Sequence, residues 1–278
     1  MSSFSVVTNI GAVNAQNKLA RTQVGLSNTL SRLASGLRIN GAKDDAAGLA
    51  IADALRADVS SLNQAVRNAN EGIGVINIAD SAMGEIGNLL QRAVTLAEQA
   101  SSETSGADSS TSKQAINDEY TQILSEIDRI TATVEFNNVS LISGAGTSLD
   151  IQVGMESGAN NRITIQTAGV DVSSLGLTSN NLLTAANAQT ELDAIQSAID
   201  TVSANRGDLG AIYNRLEHTV AVISAQAENL QAAESQIRDA DVAQEVVNLT
   251  KFQVLNQTGI SALAQANISS QSVLALLG

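Results

Sequence analysis

His218 is the only histidine in the chain, and cysteine is absent. Together these two facts remove most familiar catalytic and metal-binding chemistry. A serine or cysteine nucleophile is usually paired with an imidazole base. Zinc sites draw on Cys and His in groups of three or four. His218 sits two residues past Leu216 and two before Val220. Both leucine and valine belong to an apolar helical stripe, so His218 points away from it as a solvated side chain. Asp44-Asp45 offers the hard oxygen ligands a divalent cation takes. An apolar helical run starts directly after the pair, however, and carboxylates in that place accept the first free N–H groups of a helix. Asp239 and Asp241 are two apart and face different sides of a helix. Gly72-Ile73-Gly74 lies inside a heptad run and follows no strand, unlike a phosphate loop. Arg206-Gly207-Asp208 spells an adhesion tripeptide, but in helical sequence instead of the exposed loop such recognition uses. Asn-x-Ser/Thr sequons begin at Asn138, Asn248, Asn256 and Asn267, the last three in a helical arm. No catalytic residue, metal site or cofactor site emerges from these residues, and no enzyme is expected.

The composition explains what the chain does instead. Proline is absent from 278 residues, where typical usage gives about a dozen. Proline breaks helix interiors, so its absence suits long unbroken helices. Aromatic residues are 2% of the chain. The apolar mass is Ala, Val, Ile and Leu, a palette for helix seams more than for a spherical core. The net charge is −13, yet residues 1–40 carry Lys18, Arg21, Arg32 and Arg38 and no acid. Four cations spread over that length without aromatics read as the polar face of an amphipathic helix, and no nucleic-acid partner follows. No cleavable signal is visible at the start. No apolar run approaches the ~20 residues that span a bilayer, so no membrane partner is expected.

The elements follow from spacing. Leu19, Leu26, Leu30, Leu33 and Leu37 step by 7, 4, 3 and 4, a heptad seam. Gly36, Asn40 and Gly41, then Lys43-Asp44-Asp45, read as a helix stop, a connector and a helix start. After this joint, Leu55, Val59, Leu62, Val66, Ala69, Ile73 and Ile76 alternate steps of 4 and 3. The stripe resumes at Met83, Ile86, Leu90, Ala93 and Ala97, with polar Asp80 in the gap, where it can fix register. Residues 101–112 read as a polar turn. Ile116, Tyr120, Ile123, Ile127 and Ile130 then predict a second, antiparallel helix, with Glu126, Asp128 and Arg129 solvated. The period changes to two at 149–153 and 163–166, a hairpin signal, and Val170-Asp171-Val172 suggests a third short strand. From about Gln189 the helical period returns through Leu209, Leu216, Ile223 and Leu230. The final arm is amphipathic through Val242, Val246, Leu249, Leu263, Ile268, Val273 and Leu277. Both terminal arms carry apolar stripes that little else in the chain can cover. Such a stripe marks an interaction surface, so the physical reading is a subunit that polymerises with its termini together.

The stretch RLASGLRINGAKDDAAGLAIA at 32–52 resembles the N-terminal signature of bacterial flagellins. The likeness continues through 69–100, 116–142, 149–154, 162–177 and 209–219. It ends in SQIRDADVAQEVVNLTKFQVLNQTGISALAQANISSQSVLALLG. The resemblance implies a mainly α fold: a long antiparallel coiled-coil or helical-bundle rod with a small β-hairpin region, plus a domain of paired N- and C-terminal helices. In those terms residues 1–42 and 235–278 form the inner-tube domain and 43–234 the rod, with long helices at 46–100, 112–131 and 188–234 and the hairpin region at 138–178. Leu177 is followed closely by the returning helix, so the chain resembles a short form without outer domains.

The same resemblance implies a structural subunit of the flagellar filament, exported unfolded by the type III apparatus and secreted to the cell exterior, where its termini fold and pair on assembly. The partners it implies are further copies of the chain, the filament cap protein, the hook-associated junction protein, an export chaperone on the C-terminal arm and host flagellin receptors. A hook–filament junction protein with similar termini is the alternative. Arg92, Leu96 and Glu119 match positions contacted by the animal Toll-like receptor for flagellin. Arg32, Gly36, Arg38, Asn40, Lys43, Asp44 and Asp45 fall in the epitope sensed by the plant receptor.

Overall fold

The alternation of fours and threes that begins at Leu55 lies on one unbroken helix. The computed structural model describes residues 8–102, 110–177 and 181–275. Its helices are α1 (Ile10–Ser35), α2 (Ala46–Ser101), α3 (Ser110–Thr133), α4 (Ala185–Arg238) and α5 (Val242–Ala275). Four short strands lie between α3 and α4: β1 (Glu135–Phe136), β2 (Val139–Ser140), β3 (Thr147–Gln152) and β4 (Arg162–Thr167). The fold is mainly α, with two small antiparallel sheets, β1–β2 and β3–β4. Residues 103–109 of the predicted polar turn lie outside the described residues. The chain divides into two compact units, one of Met1–Ala57 with Asn229–Gly278, the other of Asp58–Glu228.

In the second unit the stripe of α2 becomes a core. Leu62, Ala69, Ile76, Met83, Ile86, Leu90, Ala93 and Ala97 are buried. Ile116, Tyr120, Ile123 and Ile127 of α3 are buried too, with Ile195, Val202, Leu209, Leu216 and Ile223 of α4. Burial of each such Leu, Ile, Val or Met side chain contributes about 1.5–3 kcal/mol. Polar ties cross between the helices. Arg206 of α4 donates from Nε to Asp80 Oδ1 of α2 at 2.7 Å and from Nη2 to Oδ2 at 3.4 Å. Arg206 is thus committed to the bundle, and the adhesion tripeptide lies within helix α4. The Tyr120 hydroxyl donates to the fully buried Glu191 carboxylate, joining α3 to α4. Burial, and then the bond to Glu191 and its charge, raise the Tyr120 phenol well above its ordinary pKa. Nothing in the spacing of the sequence announced Glu191, which occupies a buried position of α4 as a carboxylate.

The β3–β4 hairpin pairs in register from Thr147 opposite Thr167 to Gln152 opposite Arg162. Along β4, Ile163, Ile165 and Thr167 are buried while Arg162, Thr164 and Gln166 are exposed, the period of two that the sequence carries. The hairpin lies on α2 at Gly72. A Cβ there would come within 3.1 Å of Ile151 Cγ1 and 3.3 Å of Ile165 Cδ1. Gly72 is therefore a contact glycine. Nearby, Asn68 Nδ2 donates to the Gln152 carbonyl at 3.1 Å.

One expectation is corrected here. Residues 170–172 are not a strand. Val170 and Val172 are buried anchors of an irregular turn. The Val172 N–H donates to Asp128 Oδ1 at 3.0 Å instead of to a strand neighbour. Asp128 is exposed, as its place off the apolar stripe implies, and it also holds this turn. Asn117, three turns earlier on α3, accepts the Leu182 N–H at 2.9 Å. Alternating valines fit a buried turn as well as a strand, and only the acceptor on α3 decides between them. The β1–β2 hairpin went unpredicted because its strands are two residues each. Its turn residues Asn137 and Asn138 have φ of 50° and 64°, the left-handed pair of a tight hairpin.

Candidate assembly surface on the paired terminal helices

The first unit is built on α1 and α5, which pack together in opposite directions. Asn9 caps α1 by accepting the Ala12 N–H at 3.0 Å, and its side-chain NH2 donates to the Ala266 carbonyl of α5 at 2.9 Å. Leu19 lies over Gly259, where a Cβ would sit 3.1 Å from Leu19 Cδ1. Phe252 fills the space over Gly25 so closely that a Cβ there would be 2.6 Å from the ring. Arg32 Nη1 stands 3.5 Å from Glu245 Oε1, whose side chain is nearly buried. Leu37 bridges Asp239 in the backbone. On either side of that bridge, the Ala240 N–H donates to the Gly36 carbonyl at 2.9 Å and the Arg38 N–H to the Arg238 carbonyl at 2.7 Å. The two arms therefore pair side by side, from Asn9 against Ala266 to Arg38 against Arg238.

The joint after α1 is as specified by its residues. Gly36 ends the helix at φ 72° and its N–H donates to the Arg32 carbonyl at 2.8 Å. Asp45 Oδ1 accepts the Gly48 N–H at 2.9 Å, an N-cap worth about 1 kcal/mol. Asp44 accepts the Asn40 N–H at 3.1 Å and stands 4.0 Å from Arg32. Asp241 caps α5 through the Ala243 and Gln244 N–H groups at 2.9 and 3.1 Å. Lower on the same unit, Arg56 donates to Glu234 at 2.8 Å, and Arg238 stands 3.7 Å from Glu234 and 3.6 Å from Asp53.

The pair does not consume the apolar surface of its helices. Leu19, Leu26, Leu33 and Leu37 are half-buried, as are Leu249 and Leu263. Leu30, Val242, Val246 and Ile268 remain exposed, Ile268 by 56%. Leu277 and the side chain of Val273 lie outside the described residues. Ile10, Val13 and Val24 of α1 and Val247, Val254, Leu255 and Ile260 of α5 are exposed as well. A shallow, open depression on α5 is lined by Val246, Val247, Thr250, Lys251, Val254 and Leu255. A helix apolar on both sides is one designed to be covered twice. The sequence stripe mixes the two sides: Leu19, Leu26, Leu33, Leu249 and Leu263 are half-buried, whereas Leu30, Val242, Val246 and Ile268 are exposed. Phe252, one of the chain's three phenylalanines, and its partner Gly25 were missed, because a glycine opposite an aromatic leaves no periodic signal.

The chain matches the model of the bacterial flagellin N-terminal helical region over residues 6–147 and that of the C-terminal helical region over 192–277. A flagellin of Halalkalibacterium halodurans is 41% identical over 97% of this chain and 98% of its own length. The chain belongs to the bacterial flagellin family. Flagellin FlaB1 of Treponema pallidum is 36% identical over the same shares of both chains. The crystal structure of Bacillus cereus flagellin aligns at 33% identity over 60% of this chain and 94% of that one, with a TM-score of 0.49.

Flagellin is a structural protein, and this flagellin is a subunit of the filament that drives motility, a homopolymer of such chains. The matches favour that role over a hook–filament junction protein. Among the described residues no helix is long and apolar enough to cross a membrane. The positions matched to host recognition are placed as follows. Arg92 donates to Glu119 Oε1 from Nε at 2.9 Å and Nη2 at 2.6 Å, and both side chains are exposed. Leu96 is 2% exposed and belongs to the core. In the other set, Arg32, Gly36, Arg38, Asn40, Asp44 and Asp45 hold the joint through the contacts above, while Lys43 is exposed.

Proposed function

We propose that the outward apolar rows of the α1–α5 pair are the contacts between subunits in the filament. Residues 1–42 and 235–278 act as the inner-tube domain and 43–234 as the rod. The observation that carries this is the exposure of Val246, Val247, Val254 and Leu255 on a helix whose other side already packs on α1. Covering a row of such side chains supplies about 1.5–3 kcal/mol for each one fully buried, repeated at every subunit. An open helical polymer requires one surface to meet a different one on the next copy, and two arms with distinct residues provide both. The chain travels unfolded through the type III export apparatus to the cell exterior, and its arms order when they dock. The filament cap protein, the hook-associated junction protein, and an export chaperone on the C-terminal arm serve that route. Host receptors read the exposed Arg92–Glu119 pair and the joint at 32–45. The chain carries out no catalysis of its own.

Hydrogen exchange on monomer and polymer tests the reading. Amides of α1 and α5 exchange fast in the dilute monomer and become strongly protected in the filament, because docking supplies the ordering. Equal protection of both arms in the two states would overturn it.

A further inference from the structure

Asn40-Gly41 is the only asparagine–glycine pair in the chain. It lies between α1 and α2, outside both helices. Asn40 is exposed, and its side-chain NH2 makes only a long contact of 3.4 Å to Ser31 Oγ. The Gly41 N–H makes no hydrogen bond among the described residues. A Cβ built at Gly41 would meet nothing within 4 Å, so the space around this peptide is open. These are the conditions for an attack within the chain. A side-chain amide is a weak electrophile, but the next backbone nitrogen can close a five-membered ring on its carbon, and holding the two groups on one short tether replaces a bimolecular encounter. A side chain on the following residue crowds that ring, and glycine does not. In a helix the following N–H is already bonded to the previous turn, which shields the asparagines of α1 to α5.

We propose that Asn40-Gly41 is a self-modification site, at which the Gly41 backbone nitrogen attacks Asn40 Cγ and converts the asparagine to aspartate and isoaspartate. The N–Cγ bond forms as the Cγ–Nδ2 bond breaks, and the nitrogen's proton leaves with the amine as ammonia. Water then opens the cyclic imide at one of its two carbonyls. Opening at Cγ gives aspartate, and opening at the main-chain carbonyl gives isoaspartate. Nothing is oxidised or reduced, and water is the one co-reactant.

The product strikes at the joint. A new carboxylate joins Asp44 and Asp45 in the same connector. Isoaspartate also inserts an extra backbone carbon between Ile39, which is 2% exposed, and Gly41, whose carbonyl takes the Asp44 N–H at 3.0 Å. Both anchors cannot be kept with a longer chain between them.

The test incubates the full chain, folded, in mildly alkaline buffer at body temperature. Trypsin then releases residues 39–43, and peptide mapping separates the amide, aspartate and isoaspartate forms. The account requires this peptide to convert faster than every other asparagine-bearing peptide. Gly41→Ala, which the open space accommodates, slows it about tenfold, equivalent to about 1.4 kcal/mol on the barrier, with an unchanged circular dichroism spectrum. Persistence of the amide in the folded chain while the urea-unfolded chain converts would overturn the proposal. So would equal conversion at other asparagines, or an undiminished rate in Gly41→Ala.

Discussion

Arg206 on α4 closes on Asp80 of α2 with two donors, beside an apolar stripe that fully buried Ala79, and not the predicted gap at Asp80, carries on from Ile76 to Met83. The guanidinium spans the two carboxylate oxygens at 2.7 and 3.4 Å, and this pairing raises the Arg206 pKa. An ion pair flanking a helical seam ties one turn of one helix to one turn of the other. Both side chains remain about half exposed, so the pair serves register more than stability.

Arg206→Gln is therefore expected to cost the bundle less than about 1 kcal/mol. The difference from the parent should shrink in high salt, as it does for exposed charges. Urea titrations of monomer at low and high salt measure it. A loss of several kcal/mol would mean that the pair is not the surface tie its exposure suggests.

Gly72→Leu probes the seat of the hairpin. Its side chain cannot fit where a bare Cβ already approaches Ile151 and Ile165 within 3.1 and 3.3 Å. The gain in helix propensity, about 1 kcal/mol at most, is outweighed by overpacking of about 1–3 kcal/mol. Limited proteolysis should cut the segment 147–167 faster in the variant while α2 stays intact. An unchanged cleavage rate would place the hairpin elsewhere.

Tyr120 gives the bundle a pH dependence at the alkaline end. Its phenol is raised by burial first, then by Glu191. In the unfolded chain a tyrosine ionises near ~10, so above that pH the unfolded state has shed a proton the folded state keeps. The stability Tyr120 contributes is complete below that value and declines as pH rises beyond it. In a Tyr213→Phe variant, where Tyr120 is the remaining tyrosine, phenolate absorbance should appear together with loss of helix signal. Ionisation well before unfolding would contradict the buried pair.

Asp128→Ala removes the acceptor of the Val172 N–H. An orphaned donor beside the buried Val170 and Val172 costs about 1–3 kcal/mol. Thermal melts of monomer should show that loss, and Asp128→Asn, which keeps an acceptor oxygen, should restore most of it. Equal losses in both variants would point to charge instead of the hydrogen bond.

The helices were legible because burial repeats at their own period. Leu62, Ala69, Ile76, Met83, Ile86 and Leu90 carry the stripe of α2 in the letters of the chain, and all are buried. The joint was legible because caps use few residue types, here Gly36 and Asp45. The β3–β4 hairpin showed itself through Ile163 and Ile165. Contacts made by single residues across distant sequence did not show. Phe252 over Gly25, Tyr120 on Glu191, and Asp128 under Val172 depend on which surfaces meet, and no local period encodes that. The candidate site was half legible for the same reason. Leu19, Leu26 and Leu33 announced the side of α1 that meets α5, whereas the second apolar side, with Ile10, Val13, Val24 and the stripe's own Leu30 exposed, became distinguishable once the first was paired.

The central claim is that the outer rows of the paired arms hold subunits together while leaving the monomer's own fold alone. Val254 tests it most directly, being 57% exposed beside the α5 depression. Sedimentation of Val254→Asp under polymerising conditions, with a thermal melt of its monomer, is the measurement. The account predicts no pelletable filament where the parent polymerises, and a monomer stability within about 0.5 kcal/mol of the parent. Filaments forming at the parent's critical concentration would contradict it.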